Sequence, residues 1–167
     1  MAHGIAARVA QASVVEWDQY ETVTRWPPEV VTDWLRRGAD PAEVEAPGLT
    51  RALIAARTRG PVLFETPFGR THVLSGALID TAIWIDLAVD TALARKLGQL
   101  LEAGAKRDWL AGYLAAYETV VRPSCEIQAA RVAPQCDHRI VNDLPAAGLI
   151  DRVLALPPLA VLPRSGT

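Results

Sequence analysis

The chain has 167 residues, which is enough for one domain with a hydrophobic core but too few for two. Its formal net charge of −2 gives no reason to expect nucleic acid or an anionic membrane as the main partner. Although 50% of the residues are apolar, no uncharged run approaches the roughly 18 to 20 residues of a membrane span, and the N-terminus does not resemble a signal peptide.

The cysteine content points to a reducing compartment. The two cysteines, Cys125 and Cys136, have no companions at the spacing of a zinc site. We therefore expect two reduced thiols in a cytoplasmic protein.

The first half of the chain alternates between helix-like and strand-like patterns. Apolar residues recur at helical spacing in three segments, and two short β-branched or apolar runs have the length of strands. Pro28 suits the first turn of a helix, and Gly38 and Gly60 are typical of helix ends. The pattern predicts the end of a helix at 5–12, a strand at 13–17, helices at 28–37 and 48–59, and a strand at 62–64.

The second half continues this alternation. Residues 81–87 form an almost continuous apolar run, which is typical of a strand buried on both faces of a parallel sheet. Asp90 is a predicted helix cap, and Arg122-Pro123 predicts a break between two helices. The pattern predicts a strand at 81–87, helices at 90–103, 107–121 and 124–132, a strand at 138–142 and a helix at 148–156.

Strands separated by helices along the whole chain predict an α/β domain with a mostly parallel sheet. We assign residues 1–156 to this single domain. Residues 157–167 are rich in proline, and we expect them to form a loose C-terminal tail.

Three acids lie at or just past the ends of predicted strands, namely Asp18, Glu65 and Asp86. In an open α/β sheet, ligands bind beyond the carboxyl ends of the strands. Two carboxylates beside a phosphate suit phosphoryl transfer, because one accepts the proton of an attacking hydroxyl and the other holds Mg²⁺ through water. The alternative for Asp86 is a local turn cap, and the alternative for Glu65 is a solvated acid on an edge strand.

Basic residues near these acids could neutralise a transferring phosphoryl group. Arg70 follows Glu65 in a kinked loop, and the other candidates are Arg95, Lys106 and Arg107. For Arg95 the alternative is a solvated helix face. His72 has no partner that would make it part of a nucleophilic triad, and Trp17, beside Asp18, is the tryptophan expected to touch a ligand.

Several segments, taken in order, resemble the uridine kinase and phosphoribulokinase branch of the P-loop kinases. Trp17-Asp18-Gln19-Tyr20 is similar to the family's Asp-x-[FY] element, and Phe64-Glu65 to the strand that places an acid near the metal. The remaining likenesses are to the family's "D-x-x-L-x-R-R", "V-[RK]-P" and "A-D-x-[IV]-[IV]" elements, at residues 90–97, 121–123 and 136–141.

The resemblance implies a three-layer α/β/α fold and an ATP-dependent phosphotransferase that acts on a nucleoside or a similar small hydroxyl compound. Asp18 would be the general base, and Glu65 the acid that holds Mg²⁺ through water. Trp17, Tyr20, Arg70 and His72 would bind the acceptor, and Arg95, Lys106 and Arg107 would form the phosphate-binding lid. Gly98-Gln99 stands where the family's lid has Arg-Asp, and Arg107-Asp108 is a displaced counterpart.

The chain contains no G-x-x-x-x-G-K-[ST] motif, which in the family cradles the phosphates. We therefore expect no tight binding of ATP or Mg²⁺ to this chain, and we expect the phosphate loop and the first strand to lie upstream of a helix ending near Ala12. In the family's sheet order, 2-3-1-4-5, that strand is central. With that strand missing, the chain would close the sheet over the gap, leave an unpaired edge, or recruit another chain to it. The recruited chain could be a second copy. The competing interpretation is a catalytically silent binding or regulatory remnant.

Overall fold

The computed structural model describes residues 1–166 and shows a mixture of helices and short parallel strands. The strands are β1 (Ser13–Glu16), β2 (Val62–Glu65), β3 (Ile83–Asp86) and β4 (His138–Val141). The helices are α1 (Ala2–Ala6), α2 (Pro28–Arg36), α3 (Leu49–Arg57), α4 (Val73–Gly76), α5 (Val89–Glu102), α6 (Arg107–Ala115), α7 (Arg122–Val132), α8 (Ala146–Leu154) and α9 (Pro157–Ala160). None of these helices has the length and apolar character needed to cross a lipid bilayer.

Most of the predicted elements exist, but some of their ends differ from the prediction. α1 ends at Ala6, so residues 7–12, which were predicted to be helical, are not part of an α-helix. α5 begins before Asp90, whose carboxylate accepts a hydrogen bond from the N–H of Thr91 inside the first turn. The predicted break at Pro123 is absent, because a π-helical turn, Tyr117–Val121, runs directly into α7 and the proline occupies the first turn of that helix.

The strands form two separate two-stranded parallel sheets. β1 pairs with β2 from Ser13 opposite Val62 to Glu16 opposite Glu65. β3 pairs with β4 in the same manner, and no ladder joins the two sheets within residues 1–166. The α/β class with parallel strands is therefore observed, with two short sheets in place of one continuous sheet.

Two apolar clusters hold the elements together. The first buries Trp17, Trp34, Leu49, Leu53 and Phe68 between the β1–β2 sheet and the helices around it. The second cluster is built from the elements at the chain's two ends, and its buried members are Ile5, Val9, Ile140, Leu149, Val153, Leu154 and Leu159. Leu63 of β2 and both Ile83 and Ile85 of β3 pack against the second cluster, so both sheets share it.

Residues 157–166 of the segment predicted as a loose tail pack against the fold, and residue 167 lies outside the described residues. Leu159 on α9 is 7% exposed and belongs to the second cluster. Beyond α9, Val9 forms an antiparallel bridge with Arg164, and the Ala10 N–H donates to the carbonyl of Pro163 at 2.8 Å. The tail is thus part of the fold as far as residue 166, because Leu159 supplies it with an apolar anchor.

Each of the four strands has one edge without a strand partner in residues 1–166, and those of β2 and β3 can be assigned from the ladders. In a parallel ladder, successive residues turn their N–H and C=O groups to opposite edges of the strand. The Ser13 N–H donates to the carbonyl of Pro61, so the next residue along β2, Val62, turns its backbone groups away from β1. Likewise the N–H of His138 donates to Ala82, so Ile83 turns its groups away from β4. Of the three outcomes expected for the sheet, closure into one sheet is not observed in residues 1–166.

Candidate ligand-binding cavity

A cavity of about 600 Å³ lies at the carboxyl end of β1. This volume is within the range of small-molecule sites, and the position is where open α/β sheets bind ligands. Its wall combines the turn after β1, helix α2, the loop after β2 and helix α7. The aromatic and acidic lining residues are Trp17, Asp18, Glu21, Trp26, Trp34 and Phe68.

Trp17 is the structural centre of the aromatic wall. It directly follows β1 and is only 2% exposed. Its ring meets Phe68 edge-on with centroids 5.1 Å apart and His72 edge-on at 4.8 Å. Edge-to-face contacts of this kind favour one fixed ring orientation. Because Trp17 is almost fully buried, these contacts fix it as a support of the cavity wall.

Trp26 and Trp34 complete this wall from the other side. Their rings are 5.7 Å apart and nearly perpendicular, and the Trp34 indole N–H donates to the carbonyl of Asp40 at 3.0 Å. The sequence analysis singled out Trp17 among the tryptophans, whereas the structure brings Trp26 and Trp34 to the same cavity. Their spacing along the chain carried no signal of this, since the turn after β1 and α2 meet only in the folded protein.

Asp18 is the free acid of the cavity. Its side chain is exposed, and it makes no hydrogen bond or ion pair with any residue in the described part of the chain. The neighbouring acid Glu16, by contrast, binds His3 and Gln19, which lowers the pKa of its carboxyl. A carboxylate that is solvated and unpaired at the mouth of an aromatic cavity can accept a hydrogen bond from a ligand hydroxyl.

Most other polar groups in the wall already have partners. Glu21 is 7% exposed and accepts hydrogen bonds from the backbone N–H and the hydroxyl of Thr24, at 3.0 and 2.7 Å. The Arg131 guanidinium donates to the carbonyls of Gly38 and Ala39, which fastens α7 to the end of α2. These groups shape the cavity and are not available to a ligand without breaking contacts.

Gln128 on α7 differs from these groups. It lines the cavity, is half-buried, and its carboxamide makes no hydrogen bond to another side chain or backbone group in residues 1–166. A carboxamide offers one acceptor and two donor hydrogens. Sequence reasoning missed Gln128, because nothing in its neighbourhood on α7 distinguishes it from a solvated polar residue.

Glu65, the predicted metal-side acid, ends β2 and is exposed. It is opposite Glu16 in the ladder and does not line the cavity, although Pro67 and Phe68 just after it do. Tyr20, predicted to bind the acceptor, packs against the first apolar cluster instead of lining the cavity. The structure thus brings Trp17 and Asp18 together in one wall and leaves Glu65 and Tyr20 outside it.

Arg70, also predicted to bind the acceptor, is engaged elsewhere. It donates two hydrogen bonds to the Asp137 carboxylate, at 3.0 and 2.6 Å, and further ones to the carbonyls of Ile79, Asp80 and Gln135. The pair raises the pKa of Arg70, and it lowers the pKa of Asp137 to about 2. This network connects the loop after β2 to the start of β4.

His72, the remaining predicted acceptor residue, caps α4. It is 6% exposed, and its Nδ1 accepts a hydrogen bond from the backbone N–H of Ser75 at 3.3 Å and lies 2.8 Å from the Ser75 hydroxyl. Burial lowers the pKa of the imidazole below its ordinary value. Its edge-on contact with Trp17 supports the cavity wall from behind, so its contribution to the site is through Trp17.

The predicted lid residues are exposed and unpaired. Arg95 lies on α5, Lys106 precedes α6, and Arg107 is the first residue of α6. None of them forms an ion pair with another described residue.

Asp86, the third acid at a strand end, accepts hydrogen bonds of 2.9 and 2.6 Å from Arg139. Asp86 is therefore neither the predicted turn cap nor a free acid of the site.

The described residues do not form a cluster of metal-ligating side chains. Among residues 1–166, no three His, Cys, Asp or Glu side chains lie close enough together to hold a metal ion. The candidate metal acid, Glu65, is a single exposed carboxylate, and a phosphate loop motif is lacking in the chain.

Comparison with protein-family models gave no match, and comparison with curated proteins gave no significant relative.

Proposed function

We propose that this chain is a uridine kinase-like domain whose cavity binds a nucleoside or a similar small hydroxyl compound, the acceptor of a phosphotransferase. The observation that carries the proposal is the free Asp18 carboxylate beside an aromatic wall, at the carboxyl end of a parallel strand pair. A planar base packs well against aromatic rings, and a carboxylate accepts the hydrogen bond of a hydroxyl.

Asp18 would receive the proton of the acceptor hydroxyl as that oxygen attacks a phosphoryl group. Trp17 would support the wall against which the acceptor binds, since its ring packs edge-on against Phe68 and His72. The phosphoryl donor site is not proposed within these 167 residues, because the phosphate loop motif is absent from them. We therefore propose acceptor binding without tight binding of Mg-ATP, and no phosphoryl transfer by this chain on its own.

Tryptophan fluorescence and isothermal titration calorimetry on the purified chain test this. Uridine, cytidine, adenosine and ribose are titrated separately, and a nucleoside is expected to change the emission of the cavity tryptophans and to bind at millimolar concentration or more tightly. Asp18→Asn is expected to weaken that binding by about tenfold, the equivalent of one hydrogen bond to a charged group.

Asp108→Asn is the matched control, because Asp108 is exposed in the first turn of α6 and lies outside the cavity wall. It should leave nucleoside affinity unchanged. Lack of binding by every compound at millimolar concentration would refute the acceptor site. Micromolar binding of Mg-ATP would refute the absence of a donor site and would require a phosphate cradle of a different kind.

A further inference from the structure

The charged groups that line the cavity are unequal in sign. Among the described residues of its wall, the carboxylates of Asp18 and Glu21 stand against a single guanidinium, that of Arg131. Neither carboxylate forms an ion pair with another residue in the described part of the chain, and Glu21 binds the neutral Thr24. The wall therefore has a formal excess of negative charge.

Arg131 does not cancel this excess inside the cavity. Its guanidinium donates to the carbonyls of Gly38 and Ala39, just beyond α2. The C-terminal end of a helix carries partial negative charge, so the positive charge of Arg131 is balanced there. Glu21 is only 7% exposed, and a buried charge is screened less than a surface charge. The cavity is therefore expected to attract a cation and to repel an anion.

Trp26 is a second feature of the wall that favours a cation. It is half-buried, whereas the other rings, those of Trp17, Trp34 and Phe68, are buried. Trp26 thus keeps aromatic surface that a ligand can contact. An indole ring attracts a cation over its face more strongly than any other side-chain ring, and the attraction grows as the cation loses water.

We propose that the acceptor bound in this cavity is a small organic cation, a hydroxyl compound that carries an ammonium group. This rests on the proposed function and narrows the acceptor to the cationic members of its class. The hydroxyl would bind Asp18, and the ammonium group would lie against the ring of Trp26 in the field of Glu21. The same two carboxylates disfavour a phosphate ester.

Two probes of equal shape isolate the contribution of the charge. Choline has a hydroxyl and a trimethylammonium group, and in its uncharged analogue a tert-butyl group replaces the trimethylammonium group. In isothermal titration calorimetry on the full chain at neutral pH and constant ionic strength, choline should bind at millimolar concentration or more tightly. The analogue should bind at least about tenfold more weakly. Added salt should weaken the binding of choline and not that of the analogue.

Replacing Trp26 should reduce the preference for the charged probe. In Trp26→Leu the ratio of the two affinities should fall by about threefold, because leucine keeps apolar contact and lacks a ring. Trp26→Phe keeps a ring and should retain part of the preference. Trp109→Leu is the matched control, since Trp109 is 53% exposed on α6 and lies outside the cavity wall. Its ratio should equal that of the wild type.

The outcomes separate this inference from the proposed function. Equal affinities of choline and its analogue would overturn the cationic acceptor, and so would an unchanged ratio in Trp26→Leu. Binding of uridine without any binding of choline would also overturn it and would leave the proposed function intact. Lack of binding by choline, its analogue and the nucleosides would overturn both.

Discussion

Arg70 and Asp137 face each other across two hydrogen bonds of 3.0 and 2.6 Å, in positions far apart along the chain. Arg70 follows β2, and Asp137 directly precedes β4. Asp137 also accepts a hydrogen bond from the N–H of Ala82, just before β3, at 2.7 Å. Because no ladder connects the two sheets in residues 1–166, this pair is a direct polar link between them.

Replacing Arg70 should therefore destabilise the chain. Arg70→Ala removes donors from the Asp137 carboxylate and from three backbone carbonyls, and we expect the free energy of unfolding to fall by about 2 kcal/mol or more. Urea denaturation measures this. Arg36→Ala is the control, since Arg36 is exposed and binds only its helix neighbour Asp33, and its effect should stay within about 0.5 kcal/mol. Equal effects of the two variants would contradict a structural role for Arg70.

The same pair predicts a dependence of stability on acid pH. The folded pKa of Asp137 is lowered to about 2, whereas an unfolded aspartate titrates near 4. The stabilisation is thus complete above about pH 4 and is lost as the pH falls toward 2. The melting temperature of Asp137→Asn should lie below that of the wild type at pH 5, and the difference should shrink between pH 4 and pH 2. A difference that stays constant down to pH 2 would contradict this assignment.

The burial of His72 predicts a second dependence of stability on pH, closer to neutral pH. Burial lowers its folded pKa below the ordinary value of about 6.5, so stability is complete above that pH and declines as the pH falls below it. Protonation would also convert Nδ1 from acceptor to donor and abolish the cap on Ser75. His72→Asn keeps an acceptor at the cap and should flatten the thermal-melting profile between pH 7 and pH 5. His3→Asn is the control at an exposed site, and it should not flatten the melting profile in this way.

Gly76 is predicted to tolerate no side chain. A Cβ at this position would lie 2.3 Å from the carbonyl oxygen and 2.8 Å from the carbonyl carbon of Arg70, and both are backbone atoms. Gly76→Ala should lower the free energy of unfolding by about 1 to 3 kcal/mol. Gly98→Ala, inside α5 with no atom within 4 Å of its Cβ, should raise it by roughly 0.5 to 1 kcal/mol. Thermal unfolding of both variants tests whether Gly76→Ala destabilises the chain and Gly98→Ala stabilises it.

Gln128 is predicted to contribute to ligand binding and not to the stability of the fold. Since its carboxamide makes no contact with a described partner, Gln128→Ala should leave the melting temperature nearly unchanged. It should weaken nucleoside binding several-fold, because a hydrogen bond to a neutral partner contributes about 1 kcal/mol. Gln99→Ala, on the exposed surface of α5, is the matched control. Equal affinities for both variants would exclude Gln128 from the ligand contact.

Two of the residues that the resemblance assigns to a site, Trp17 and Asp18, lie in the wall of the cavity. Trp17 and Asp18 lie in the cavity wall because both directly follow β1, and that position could be read from the strand pattern. Arg70 and His72 could not be placed in this way. Their roles depend on Asp137 and Ser75, and a loop residue's partner is set by how distant elements pack.

The amino-acid sequence by itself determined the order and type of the elements, because helical and strand periodicities are local properties of the chain. It also placed Asp18 just past one predicted strand and Glu65 at the end of the next. Only the tertiary structure decided that α2 and α7 close an aromatic cavity over Asp18, that the C-terminal segment packs through Leu159, and that β2 and β3 keep free edges. These features arise from contacts between segments distant in the chain, which no local pattern encodes.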